Sequence, residues 1–290
     1  MTTVFVLGNA GMDLWLGLPH LVRPGETAVA TSVMRSPGGK GLNQAVVAAR
    51  AGARVRFCAP VGEDGDAGAV AAALARERLA ELRLLAKPVP TDQSIVMVAA
   101  DGENSIVSLC GCADALTEAE AASFAAETTG EDYLLLQGNL TELATLAAAR
   151  ASAARMVLNA APLRWPVTGL LRFCEVVVVN RGEAESITGL SDPEAAARRL
   201  RALGCATAIV TLGSDGCLWV DAQGAGCLGA VAVTALDTTG AGDTFCGVLV
   251  AQLGEGVVLR DAIAAAQRAA ALSVTRHGAF AALPSAAELG

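Results

Sequence analysis

The run Val176-Val177-Val178-Val179 shows no alternation of apolar and polar positions. A strand built from it must be buried on both faces, as in a parallel sheet covered by helices on two sides. The rest of the chain fits that demand, because short β-branched runs alternate with Ala-rich stretches of helical character. Strands are predicted at Val4–Leu7, Arg54–Ala59, Tyr133–Gln137, Met156–Asn159, Glu175–Val179 and Thr207–Leu212. Helices are predicted at Gly41–Ala51, Ala67–Leu79, Glu118–Ala126, Glu142–Ala153, Pro193–Leu203, Gly240–Leu253 and Leu259–Val274. Thr117 with Glu120 fits a capping box, and Pro193 fits a first-turn proline.

Two regions break this rhythm. Met12–Leu18 with Ala28–Met34, and Ser94–Ala100 with Ser105–Cys110, read as consecutive extended segments. The second pair brackets Asp101-Gly102-Glu103-Asn104 and is predicted to form a hairpin. Strands clustered outside the βα alternation suggest a small β-rich lobe, with an extended sheet edge as the alternative. The chain shows no repeat or linker, so residues 1–290 are read as one domain with a lid from about 12–36 and 92–112.

Composition excludes several classes. The formal net charge of −8 argues against nucleic-acid binding, which needs a basic face. The longest apolar candidate, Ala262–Val274, contains Gln267 and Arg268 and is too short to span a bilayer, so no membrane association is expected. The start of the chain reads as a strand without a basic leader, which points to a cytoplasmic protein. Eight cysteines are spread along the chain and read as reduced structural thiols. The close pair Cys110-Gly111-Cys112 lacks the second ligand pair that a metal site needs.

Chemistry concentrates in two Gly-rich runs. Asp237-Thr238-Thr239-Gly240-Ala241-Gly242-Asp243 opens an apolar helix. Backbone N–H groups and the helix dipole there suit an anion, or the charge that develops as a phosphoryl group transfers. Asp243 stands at the edge of this cradle with no evident neutralising partner in the sequence. Pro37-Gly38-Gly39-Lys40-Gly41-Leu42-Asn43-Gln44-Ala45 opens another helix and offers Asn43 as donor and acceptor for a hydroxyl. In an open α/β sheet both runs could converge at the carboxyl ends of the strands. Neither matches a P-loop, and no protein-kinase signature is present.

Together these two runs resemble the ribokinase-like (PfkB) family of carbohydrate kinases, closest to its ribose-phosphorylating members. Pro24-Gly25-Glu26-Thr27, Val61-Gly62-Glu63-Asp64, Asn180-Arg181-Gly182-Glu183-Ala184-Glu185, Thr211-Leu212-Gly213-Ser214-Asp215-Gly216 and Val274-Thr275-Arg276-His277-Gly278-Ala279 extend the likeness nearly end to end. The resemblance implies a three-layer α/β/α domain with a mostly parallel central sheet and a small β-rich lid through which two copies pair. It implies ATP and Mg²⁺ as cofactors, and transfer of the γ-phosphoryl to a primary sugar hydroxyl. Asp243 would be the catalytic base, with the N–H groups of Gly240, Ala241, Gly242 and Asp243 as anion hole. Asp13, Gly39, Lys40, Asn43 and Asn139 would line the sugar site. Asn180 and Glu183 would lie near the phosphates and magnesium, and Thr211, Gly213, Gly216, Gly242 and Gln267 near the nucleotide. Asn180 and Glu183 also read as an ordinary helix start, and both roles are compatible.

Three positions depart from the ribose-phosphorylating pattern. Gly11 stands where an Asn is expected, and Asn139 where an acid is expected. Such changes can redirect specificity, so a ketohexose, a sugar acid or a nucleoside remain alternative substrates, and a non-catalytic sugar-binding regulator is the rival class. Ten aromatic residues are few for a base-stacking pocket. A K⁺ ion would be held mainly by backbone oxygens of Asp237, Thr239, Ser273, Arg276 and Gly278, with Ala282 lacking the family's hydroxyl.

Overall fold

The computed structural model describes residues 2–101 and 103–290; Met1, and Gly102 within the predicted turn Asp101–Asn104, lie outside the described residues. In chain order the strands are β1 (Thr3–Leu7), β2 (Gly11–Leu18), β3 (Ser32–Gly38), β4 (Arg54–Val61), β5 (Glu81–Ala86), β6 (Asp92–Ala99) and β7 (Asn104–Leu109). They continue as β8 (Tyr133–Gln137), β9 (Arg155–Asn159), β10 (Cys174–Asn180), β11 (Thr207–Thr211), β12 (Cys217–Asp221) and β13 (Gly224–Leu228). The first helices are α1 (Lys40–Arg50), α2 (Gly65–Leu74), α3 (Gly111–Ala115), α4 (Glu118–Ala125) and α5 (Glu142–Ala151). After them come α6 (Arg181–Thr188), α7 (Pro193–Ala202), α8 (Ala241–Gly254), α9 (Leu259–Ser273) and α10 (Ala286–Leu289).

Nine strands form the central sheet in the order β13-β12-β11-β10-β9-β8-β1-β4-β5. It is parallel from β11 to β5, and β12 and β13 close one edge as an antiparallel hairpin. The valine run behaves as its composition requires. Val176 and Val178 pack into the layer holding α1, α2, α8 and α9, while Val177 and Val179 pack into the layer of α4 to α7. β1 sits between β4, the next strand of this sheet in sequence, and β8, more than a hundred residues later. The strand order therefore reverses beside β1, and a crevice opens at the carboxyl ends of β1 and β8, where open α/β sheets take their ligands.

Beside that crevice lies a second sheet of four strands, β3-β2-β6-β7. β6 and β7 pair antiparallel as the predicted hairpin, and β2 runs parallel to β6. The expected strand Ala28–Met34 lies instead at Ser32–Gly38, because pairing of Gly11 with Gly38 sets the register and carries the strand into the Gly-rich run. Pro37 is tolerated there since β3 is an edge strand. The helix expected at Ala67–Leu79 ends at Leu74, and the chain then forms the unpredicted edge strand β5. Arg83 and Glu81 on that strand, with Arg56 and Glu127, charge the edge and oppose further strand addition.

Helix α8 crosses α1 closely enough that a Cβ built on Gly247 would lie 2.1 Å from Val47 Cγ1 and 2.6 Å from the Gln44 carbonyl oxygen. Any side chain there must force the two helices apart. Gly247→Val is expected to lower stability by about 1–3 kcal/mol or more, read as a fall in thermal midpoint of the folded protein.

Candidate active site

Helices α1 and α8 start in the same way. Their N-caps are Gly39 (φ 104) and Gly240 (φ 79), values that favour glycine, and neither helix has a side-chain cap. At α1 Asn9 serves instead, accepting the Gly41 N–H on Oδ1 at 3.3 Å and the Leu42 N–H on its carbonyl at 3.1 Å, so α8 is the start that keeps first-turn N–H groups for a ligand. At α8 the Ala241 N–H donates to the Thr238 carbonyl at 3.3 Å, and those of Gly242 and Asp243 have no backbone partner among the described residues.

This start of α8 is a wall between two cavities. The first, of about 690 Å³, is lined by Thr239, Gly240 and Asp243 on the α8 side. Asp13, Gly39, Lys40, Asn43 and Asn139 also line it, so the five residues expected at the sugar meet there beside the expected base Asp243. The second, of about 550 Å³, takes Thr238, Ala241 and Gly242 from the other side of the same turn. Thr211, Gly213, Gly216 and Gln267 line it, which gathers five of the seven nucleotide-site residues.

Asp243, which has no evident partner in sequence, is buried and well partnered in the fold. Gln44 Nε2 donates to its Oδ1 at 2.9 Å, Asn43 Nδ2 to its Oδ2 at 3.3 Å, and Lys40 Nζ lies 3.6 Å from Oδ1. These partners sit about two hundred residues earlier, so no local pattern reveals them. The Asp243 carboxylate holds the Lys40 ammonium above its usual range, with burial opposing. Asp13 behaves oppositely: burial, then the nearby Asp243 charge, push its carboxyl up to about 7, while a hydrogen bond from Ser94 pulls it down.

Several polar atoms of the first cavity await partners. Both side-chain atoms of Asn139 and the Oδ1 of Asn43 are buried without a hydrogen bond. Buried polar groups are rarely left so unless a ligand completes them. Arg164 borders the cavity, donating Nη1 to the Asn139 carbonyl at 2.8 Å and pairing with Asp114, which also lines it. Arg35, by contrast, pairs with Asp66 and lines neither cavity. The sequence offers Arg164 and Arg35 as basic candidates near the site without positioning them, and it gives no site role to Asp114, Ser108 or Phe245. Gln44 lies inside the Gly-rich run Pro37–Ala45, where no local pattern reveals its bond to Asp243.

Asn180 and Glu183 line neither cavity. They form a reciprocal capping box at α6, with Asn180 N–H donating to Glu183 Oε2 and Glu183 N–H to Asn180 Oδ1, both at 2.8 Å. Of the residues expected at a monovalent cation, only Thr239 reaches a cavity. Asp237 instead braces the α8 loop, accepting the Thr239 N–H at 2.9 Å and the Gly278 N–H at 2.8 Å. Ser273 Oγ donates to the Ala270 carbonyl, Arg276 pairs with Glu288, and Ala282 is buried. All eight cysteines are free, and no helix is long and apolar enough to cross a membrane among the described residues.

A doubly covered parallel sheet, with two cavities meeting at an uncapped helix start and a carboxylate between them, is the layout of a phosphotransferase. The pfkB family carbohydrate kinase model matches residues 1–286, and the chain belongs to that family. It is 34% identical to the ribokinase of Haemophilus influenzae over 99% of this chain and 96% of that one. The Thermotoga maritima ribokinase structure superposes with a TM-score of 0.90 at 28% identity, covering 100% of this chain and 98% of that chain. An Arabidopsis thaliana ribokinase complexed with ribose and ATP gives 0.87 at 25% identity, with 100% and 98% covered.

The raised Asp13 carboxyl has a consequence for stability. Its folded value of about 7 exceeds the ordinary 3.8, so between those pH values the folded state binds more protons than the unfolded chain. Its contribution to stability therefore falls as pH rises from about 4 to about 7 and is level above that. Urea unfolding across this window should show that slope in the wild type and its loss in Asp13→Asn.

Proposed function

We propose that the protein is an ATP-dependent ribose kinase of the cytoplasm, with sugar in the first cavity and nucleotide in the second. The carrying observation is Asp243, which sits on the turn that divides the two cavities. Overall likeness to ribokinases supports ribose over the ketohexose, sugar-acid and nucleoside alternatives. The unpaired amide of Asn139 offers a donor and an acceptor to neutral hydroxyls, and the unpaired Oδ1 of Asn43 offers a further acceptor.

In the reaction Asp243 accepts the proton of the primary hydroxyl as its oxygen attacks the γ-phosphorus. The bond from that phosphorus to the β–γ bridging oxygen breaks, and ADP leaves with the electron pair. The N–H groups of Gly240, Gly242 and Asp243, with the α8 dipole, face the charge that builds on the transferring group. Ala241 contributes to the same turn. Lys40, 3.6 Å from Asp243, adds a cation beside it. Asp13, once ionised, accepts from sugar hydroxyls.

Magnesium, when bound, neutralises phosphate charge. A site made mostly of phosphate oxygens with one carboxylate suits it, and Glu183 keeps its Oε1 free of the capping bond. Potassium belongs to the reading through the neutral backbone oxygens of Asp237, Thr239, Ser273, Arg276 and Gly278. The four-stranded sheet would be a lid over the sugar. Its exposed Val33, Ile106, Val107 and Leu109 would pair two copies, since apolar strands in the open usually find a partner.

The decisive experiment is ADP release with ATP, Mg²⁺ and a panel of ribose, fructose, sugar acids and nucleosides. Ribose should give the highest kcat/KM, and release no faster than ATP hydrolysis alone on every sugar would sink the kinase reading. Asp243→Asn should keep ATP affinity while kcat drops on the order of 10²–10⁴-fold. Equal rates in potassium, sodium and choline would remove the potassium site. Light scattering should give twice the chain mass, and Val107→Asp with Leu109→Asp should return it to one.

A further inference from the structure

Behind the candidate base lie three amides that catalysis as described does not use. Gln44 and Gln137 are fully buried and Asn159 nearly so, yet none lines either cavity, so none can touch a substrate held there. They are joined in series. Gln137 Nε2 donates to Gln44 Oε1 at 2.9 Å. Gln44 Nε2 in turn donates to Asp243 Oδ1 at 2.9 Å and to Asn159 Oδ1 at 3.3 Å.

Packing alone does not explain them. Gln137 ends β8 and Asn159 ends β9, strands whose earlier residues Leu134, Leu136, Met156 and Leu158 are apolar core. A buried amide is costly unless its donors and acceptors are engaged. Here the order of donors is dictated from one end. An ionised carboxylate can only accept, so Gln44 must turn its nitrogen to Asp243. Its oxygen then faces Gln137, which must answer with nitrogen. The chain stops at Gln137 Oε1, which has no partner. A Cβ on Gly8 would lie 2.1 Å from that oxygen, so the end of β1 accommodates it only because residue 8 has no side chain.

We propose that Gln44, braced by Gln137, is a positioning residue for Asp243, and that the two amides hold the carboxylate in one orientation for proton acceptance. A carboxylate turns freely about its Cβ–Cγ bond unless both oxygens are engaged. Gln44 on Oδ1 and Asn43 on Oδ2 arrest that rotation. Asn43 also borders the sugar cavity, whereas Gln44 lines neither cavity and its bonds run to Asp243, Asn159 and Gln137. This rests on the reading of Asp243 as the base of a sugar kinase.

The test is a double-mutant cycle on the full chain, with ribose, ATP and Mg²⁺. Gln44→Met should lower kcat on the order of 10–100-fold, the cost of losing an orienting partner. KM for ribose and for ATP should stay within about threefold, as expected when ground-state binding is untouched. Gln137→Met, which leaves both Asp243 contacts in place, should lower kcat less. Adding it to Gln44→Met should cost nothing further, because Gln137 acts through Gln44. Additive losses, or a KM effect with kcat unchanged, would overturn the proposal.

A readout that needs no sugar keeps it separable from the ribose reading. In ¹⁵N spectra of the whole protein, Asp243→Asn should displace the side-chain NH₂ signals of both Gln44 and Gln137. Movement of neither signal, or of Gln44 alone, overturns the series even where ribose is turned over. Displacement of both sustains it even where ribose proves the wrong sugar. Should Gln44→Met fail to fold, Gln137→Met and the spectra decide the matter.

Discussion

The site depends on how closely α8 can lie against α1. Gly247 on α8 meets Val47 and the Gln44 carbonyl of α1 with no room for a side chain between them. Both helices are rich in Ala, Gly and other small residues over this contact, so the backbones approach and bring two helix starts together. Asn43, Gln44 and Lys40 then reach Asp243 across two hundred positions of sequence. A larger residue in that crossing would separate base from partners before it touched any cavity.

The central sheet supplies what the helix pair cannot: a place for two ligands on either side of one turn. Reversal of strand order beside β1 opens the crevice, and the small sheet rises next to it from the end of β1. The start of α8 stands in that opening with its cap position left to Gly240. An uncapped start is a liability in a buried helix and an asset beside a phosphate. Positioning and fixed dipoles suffice for phosphoryl transfer, which asks little covalent chemistry of the protein.

Much of this frame is legible in sequence. The six strands predicted for the central sheet all occur within two residues of their expected bounds, because short apolar, β-branched runs between Ala-rich helical stretches report burial directly. The missed strands have other physics. β5 alternates Glu81 and Arg83 with leucines on a charged edge, and β12 with β13 is a short hairpin whose Gly224–Leu228 arm carries three small residues. The end of α2 was placed too late because Ala-rich sequence continues past the point where the chain turns into β5. In the site, residues on the two Gly-rich runs are legible, whereas Arg164 is only a candidate without a position and Asp114 gives no signal. Arg164 reaches the sugar cavity from a loop and Asp114 from the short helix α3, and no local spacing encodes either placement.

The sequence by itself determined the layers of this protein, the two helix starts and the presence of an acid at one of them. Those are local matters: periodicity, glycine at a cap, a carboxylate in a first turn. Only the tertiary structure decided that Asp243 is held by Lys40, Asn43 and Gln44, that Asn180 and Glu183 bind each other rather than lining a cavity, and that Asp13 is pushed up to about 7. The reason is that partners and desolvation depend on which surfaces meet. That meeting is set by the switch in strand order and by the close crossing of α1 and α8.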